Sequence, residues 1–411
     1  MKKKLFENIH IFIGITCHSM GKPSYYNEET KTLTVRKYFD DFAISRLKCA
    51  TNLFLEDKFN ESIDLIPDNI LSITFGELYD LPYNLEFGYS FNSTIGTVHR
   101  PCPPIKKLPK NLLFFTTGSE FDQPIGIGLL PNSLTNLTLG YSFDQPIKKG
   151  TMPSSLTHLT LGYSFDRPIK KGTLPSSLTH LTLGYSFDQP IKKGTLPSSL
   201  THLTLGYSFN QPFEEETLPS TITHLTLGAY FDQPIKEGTL PSSLTHLTFD
   251  YWSCFNQPLN KGSLPPTITH LNFGYVFTQP FEKDSLPSSL TFLKLAPSFD
   301  GSIQYLPNGL THLIIGDYQT IGTISEFMFS GSLDVIPKSV KYLMIETGGY
   351  VSTDDIPDHI EYLAINFTTG RIIDNLPINL KKLIINDEKY MVCVKKKPFG
   401  CEVVVDRKLS F

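Results

Sequence analysis

The sequence predicts a mainly β fold: a solenoid of stacked units of about 22 residues, with one short parallel strand per unit and little helix. Three observations carry this. The proline that opens each unit stands at Pro131, Pro153, Pro175, Pro197, Pro219 and Pro241, a constant spacing of 22 residues, and a fixed period of that size marks a stacked array. Within a unit, leucines alternate with polar residues, as at Leu181 and Leu183, which gives a strand one buried face. The other half, Tyr185 to Thr195, holds Pro190 and Gly194 and shows no helical period, so it reads as extended or turn-like backbone.

Taken in order, residues 1–48 precede the array and are expected to cap its first unit, because the end of a stack leaves an apolar face uncovered. Lys2-Lys3-Lys4 followed by Ile9 to Cys17 imitates a secretory leader, but Glu7, Asn8 and His10 interrupt it. No stretch approaches the ~18 apolar residues of a membrane span, so no membrane partner is expected. Residues 49–390 form the solenoid, with weaker openings at Pro67, Pro82 and Pro109 and later ones at Pro265, Pro287, Pro307, Pro337, Pro357 and Pro377. In the unit starting at Leu174, Leu178, Leu181 and Leu183 have the Leu-x-x-Leu-x-Leu spacing of a leucine-rich-repeat strand. Phe187, Ile191 and Leu196 supply the remaining inward side chains, and one unit alone cannot hide them from water. In residues 391–411, Val392–Val394 and Val403–Val405 flank a turn-like Lys395–Gly400 and are expected to form a terminal β-hairpin cap.

Phe187-Asp188-Gln189-Pro190-Ile191 recurs as Phe209-Asn210-Gln211-Pro212-Phe213 and Phe255-Asn256-Gln257-Pro258-Leu259, and resembles the F-N-x-P motif of the FNIP repeat, a relative of leucine-rich repeats. The resemblance covers most of the chain. It weakens at Phe91-Asn92-Ser93-Thr94-Ile95 and Phe299-Asp300-Gly301-Ser302-Ile303, which lack the proline, and in the last three units. It implies a non-catalytic scaffold for protein–protein interaction. Some members of the family carry an N-terminal F-box, so the resemblance also implies an alternative, a substrate-recruiting adaptor of a ubiquitin ligase. Residues 1–48 have the length of an F-box but lack its Leu-Pro opening and its helical leucine pattern. FNIP proteins are typical of amoebae and of the large viruses that infect them, which implies a cytoplasmic location, in the host if viral.

Composition narrows the partner. A formal charge of -4 and a pI near 6.3 give no field for nucleic acid. Cys17, Cys49, Cys102, Cys254, Cys393 and Cys401 lack metal-type spacing and read as free thiols of an intracellular protein. No nucleophile–base pairing, phosphate-cradling glycine loop or metal-ligand spacing is present, so no enzyme, metal or cofactor is expected. A monomer with a protein partner of unspecified identity is expected.

The candidate surface is a pair of columns. His158, His180, His202, His224, His246, His270 and His312 occupy one place in their units, with Thr160, Thr182, Thr204, Thr226 and Thr248 two residues further on. Alternation turns both away from the core. A stack of imidazoles invites a metal-binding or pH-sensing reading, but no Cys, Asp or Glu accompanies it, and a solvated ladder is the simpler expectation. Asp144, Asp166, Asp188 and Asp232, with Asn210 and Asn256, are expected to cap turns and to form ladders with the adjoining glutamines. Lys148-Lys149, Lys170-Lys171 and Lys192-Lys193 make a basic patch that Glu214-Glu215-Glu216 ends. Two irregular segments break the period and are candidate binding loops: Tyr251 and Trp252 in a two-residue insertion, and Tyr318 and Phe327 in a longer one.

Overall fold

The computed structural model describes residues 24–76 apart from 37, 57, 58, 60–62, 64 and 65, together with 105, 107–299, 301–316, 332–347, 355–367 and 375–406. Two compact units divide the chain, Met1–Tyr141 and Ser142–Phe411. Both are built from one short strand per turn of chain laid parallel on the last, so the chain is a β-solenoid of leucine-rich-repeat type.

In the first unit, β1 (Ser24–Asn27) and β2 (Thr32–Val35) form an antiparallel hairpin. Asn27 closes its turn by accepting the Glu29 and Thr30 N–H groups at 2.9 and 3.0 Å. Helix α1 (Asp41–Leu47) begins where Asp40 accepts the Ala43 N–H at 2.8 Å, and packs against the hairpin with Ala43 buried. From β2 a parallel ladder runs through β3 (Asn52–Leu55), β4 (Ser72–Phe75), β5 (Phe114–Thr116) and β6 (Asn136–Thr138). Its register sets Leu33, Leu53, Ile73, Phe115 and Leu137 in one buried row. The ladder therefore begins inside residues 1–48, the expected cap. Thr32–Val35 alternates like a repeat strand, but no proline opens it, so the period did not reveal it.

The second unit continues the pattern through β7 (His158–Thr160), β8 (His180–Thr182), β9 (His202–Thr204), β10 (His224–Leu227), β11 (His246–Phe249) and β12 (His270–Asn272). Then follow β13 (Phe292–Leu295), β14 (His312–Ile315), β15 (Tyr342–Thr347), β16 (Tyr362–Phe367), β17 (Lys382–Ile385) and β18 (Glu402–Val405). Register is in phase with the repeat, so His180 pairs with His202 and Thr182 with Thr204. Leu178, Leu181, Leu183, Phe187, Ile191 and Leu196 are all buried, as their spacing predicts. Phenylalanines 143, 165, 187, 209, 231, 255, 277 and 299 form a spine of near-parallel rings, 5.9 to 6.3 Å between centroids. Neighbouring turns come so close at Gly206 that a Cβ there would lie 1.9 Å from the Gly184 carbonyl oxygen, which only glycine permits.

The return halves are tied laterally by the expected Asp/Asn column. Asp166 accepts the Asp188 N–H and the Gln189 amide of the next turn, both at 3.0 Å, and Asp188 does the same for Asn210 and Gln211 at 2.8 and 3.0 Å. These carboxylates are occupied by structure.

The expected terminal hairpin does not form. Glu388–Cys393 is a 3-10 helix capped by Asp387, and β18 lies parallel on β17, pairing Leu383 with Val403 and Ile385 with Val405. The valines of residues 403–405 are thus a last rung. Without β18 the edge of β17 would offer a row of hydrogen-bonding groups, which a local hairpin would leave unmet.

Candidate interaction surface

The strand face of the second unit is built by alternation. In β8 the leucine between His180 and Thr182 is buried, while both polar neighbours are partly exposed, and the same pattern holds in β7 and β9 to β11. The histidine rings stack from His158 to His270 with centroids 4.1 to 4.2 Å apart and planes within 13°. Stacking continues more loosely through Phe292 to His312, then tightly onto Tyr342 at 4.2 Å and Tyr362 at 4.4 Å.

Each ring is held by the threonine before it, a contact that sequence reading missed. Thr179 Oγ1 donates its one proton to the Thr157 carbonyl oxygen at 3.1 Å, so towards His180 Nδ1, 2.9 Å away, it is an acceptor. With the hydroxyl proton assigned to that carbonyl, the matching neutral tautomer carries its proton on Nδ1 and leaves Nε2 as the acceptor. Thr201, Thr223, Thr245, Thr269 and Thr311 impose the same tautomer on His202, His224, His246, His270 and His312. The signal was available in the Thr-His pair of every unit.

The stack also keeps its rings neutral. Burial against adjacent rings, then repulsion from neighbouring imidazolium charge, pushes His180 and His224 down to about 4. His158, His202, His246, His270 and His312 are lowered too, burial being the largest cause in each. Near neutral pH the face from β7 to β12 is an uncharged lattice of imidazole acceptors and Thr160, Thr182, Thr204, Thr226 and Thr248 hydroxyls.

Beyond Asn272 the second column changes character. Lys294 follows, then Ile314, Met344, Ala364 and Ile384, of which the last three are fully buried in a small apolar cluster that Ile314 joins. The polar surface therefore ends within the unit, a boundary that the histidine column alone, still marked at His312, does not show.

Beside the strand exit runs a tyrosine row, also missed from sequence. Tyr163, Tyr185 and Tyr207 stack at 4.2 and 4.3 Å, and Tyr230 tilts against Tyr207 at 5.1 Å. The two-residue insertion continues this row outward. Trp252 is 48% exposed, edge-on to Tyr251 at 4.7 Å and 5.8 Å from Tyr275, so it does not fill a core bulge. Tyr318 and Phe327, the other loop candidates, lie outside the described residues. The six lysines of the basic patch are exposed, and Lys193 pairs with Glu216 of the following unit. Among the described residues, no group of three or more His, Cys, Asp or Glu side chains could hold a metal ion, and no helix is long and apolar enough to cross a membrane.

A parallel ladder with buried leucine and phenylalanine rows, one motif per turn, defines a repeat protein of the leucine-rich-repeat class. The FNIP repeat family model matches residues 104–142, 121–164, 143–186, 165–208, 209–251 and 255–298, and the chain is an FNIP repeat protein. Among solved structures it is similar to CroV588, described as a novel circular LRR protein, at 28% identity and a TM-score of 0.58 over 93% of this chain and 70% of that one. A weaker likeness, at 16% identity and a TM-score of 0.35, is to YopM from Yersinia enterocolitica, over 87% of this chain and 73% of that one. No curated protein matches the sequence.

Proposed function

We propose that this chain is a non-catalytic scaffold whose strand face, from His158 to Thr248 and on to His270, receives a protein partner, with Trp252 and Tyr251 as a second contact. The observation that supports it best is the division of labour within each turn. The Asp/Asn column and the threonines before the histidines are spent on holding neighbouring turns together. His Nε2 and the second-column threonine hydroxyls are left at fixed positions on a rigid sheet, which suits recognition without chemistry. Residues 24–47 hold a hairpin whose second strand starts the ladder and a seven-residue helix packed on that hairpin, which supports a plain scaffold over the ligase adaptor. In cells the chain acts in the cytoplasm as a monomer.

A photo-crosslinking amino acid at position 204, on the strand face, is compared with one at 215, on the lysine and glutamate edge. In extract of the cells that make the protein, one partner species is expected from position 204 and none from 215. Equal labelling from both sites, or none from 204, would overturn the proposal.

A further inference from the structure

We propose that the bulge at Tyr251–Cys254 is a binding site for an organic cation, the ammonium or guanidinium group of a partner's lysine or arginine side chain. The place is built around Asp250. In the regular turns this position is glycine, as at Gly206, Gly228 and Gly274, because a Cβ on Gly228 would come within 1.7 Å of the Gly206 carbonyl oxygen. At Asp250 the two inserted residues carry the chain outward. Asp250 N–H still donates to Leu227 O at 2.9 Å, Ser253 N–H turns back to Asp250 O at 2.9 Å, and Cys254 N–H rejoins the preceding turn at Ala229 O. The insertion thus admits a carboxylate where the turns on either side, at Gly228 and Gly274, have no room for a side chain.

Among the described residues that carboxylate accepts one hydrogen bond, from the Trp252 N–H at 3.0 Å. Among the described residues no lysine, arginine or histidine pairs with it. Burial pushes its pKa up, with the Trp252 N–H pulling the other way, so the negative charge is held at a cost that a cation would relieve. Aromatic rings crowd the same spot. Trp252 lies against Tyr251 and Tyr275, and Tyr230 of the preceding turn is 53% exposed. Asp250 is close enough to Tyr207 for its charge to add to burial and Tyr230 in raising that hydroxyl's pKa. The tryptophan and tyrosine rings gathered at the bulge that carries this carboxylate add their quadrupoles to its full charge in attracting a cation.

The proposal takes the scaffold reading for the source of the cation, but cation binding by the free chain can be measured without a partner. Trp252 is the chain's one tryptophan, so its fluorescence reports this place alone. The full chain is titrated with choline chloride at constant ionic strength and with 3,3-dimethyl-1-butanol, its uncharged isostere. Choline is expected to give a saturable change, with the alcohol weaker by about fivefold or more. Asp250→Asn keeps the oxygen that accepts the Trp252 N–H and is expected to weaken choline by a similar factor, with the emission maximum of the free protein unchanged. Should that variant not fold, Tyr275→Leu is expected to weaken choline about threefold. A linear response no larger than that to sodium chloride, equal binding of the alcohol, or Asp250→Asn binding like wild type would each overturn the proposal. Choline binding without crosslinking at position 204 would leave this site standing and remove the scaffold reading. Crosslinking without choline binding would do the reverse.

Discussion

Thr201 Oγ1 bridges His202 Nδ1, 2.9 Å away, and the Thr179 carbonyl oxygen, 3.1 Å away, a geometry that favours the Nδ1–H tautomer of His202. Nitrogen-15 spectra of the imidazoles should show His202 protonated on Nδ1. Thr201→Val keeps the shape and removes the hydroxyl. It should shift His202 towards the Nε2–H form and cost about 1 kcal/mol of stability. An unchanged tautomer would show that ring stacking alone sets it.

The column makes stability pH-dependent in one direction. His180 and His224 are pushed down to about 4 in the folded chain against an ordinary 6.5 unfolded, so between those values the unfolded chain binds more protons. Stability should be full above pH 6.5, fall as pH drops towards 4, and lose nothing further from these groups below that. Denaturant midpoints at pH 7.5 and 5 would measure it. Replacing His180, His202 and His224 together by Gln should flatten the difference. A midpoint independent of pH over this range would contradict the depressed imidazoles.

Phe209 is fully buried between Phe187 and Phe231, with ring centroids at 6.1 and 6.3 Å. Phe209→Ala should cost about 3 to 5 kcal/mol. Turns contact only their neighbours, so hydrogen exchange should quicken first around residues 178–231 and least in β16 and β17. Uniform acceleration would mean that the unit melts as a single block.

Trp252 is half exposed at the insertion, with its ring 4.7 Å from that of Tyr251 and 5.8 Å from that of Tyr275. Trp252→Ala should reduce partner crosslinking from position 204 about tenfold and leave the β-type circular dichroism unchanged. Loss of that signal would assign the indole to stability.

The 22-residue period and the leucine alternation were sufficient to determine a parallel stack, its inward rows at Leu181, Phe187 and Ile191, and the outward setting of His180 and Thr182. A repeat copies its own neighbours: whatever sits at one place in a unit must meet the same place in the next, so spacing alone implies contact. What the period could not determine is anything that depends on direction or on a broken copy. The Nδ1 proton depends on where the preceding threonine sends its hydroxyl hydrogen, which follows from the carbonyl that the adjoining turn happens to offer. Thr32–Val35 and Glu402–Val405 entered the ladder because an open strand edge must be paired, although neither carries the motif. The half-exposed Trp252 and the carboxylate of Asp250 owe their places to a bulge whose path is set by backbone bonds to Leu227 and Ala229. Such bonds join residues that are distant in sequence, so only the folded chain brings them together.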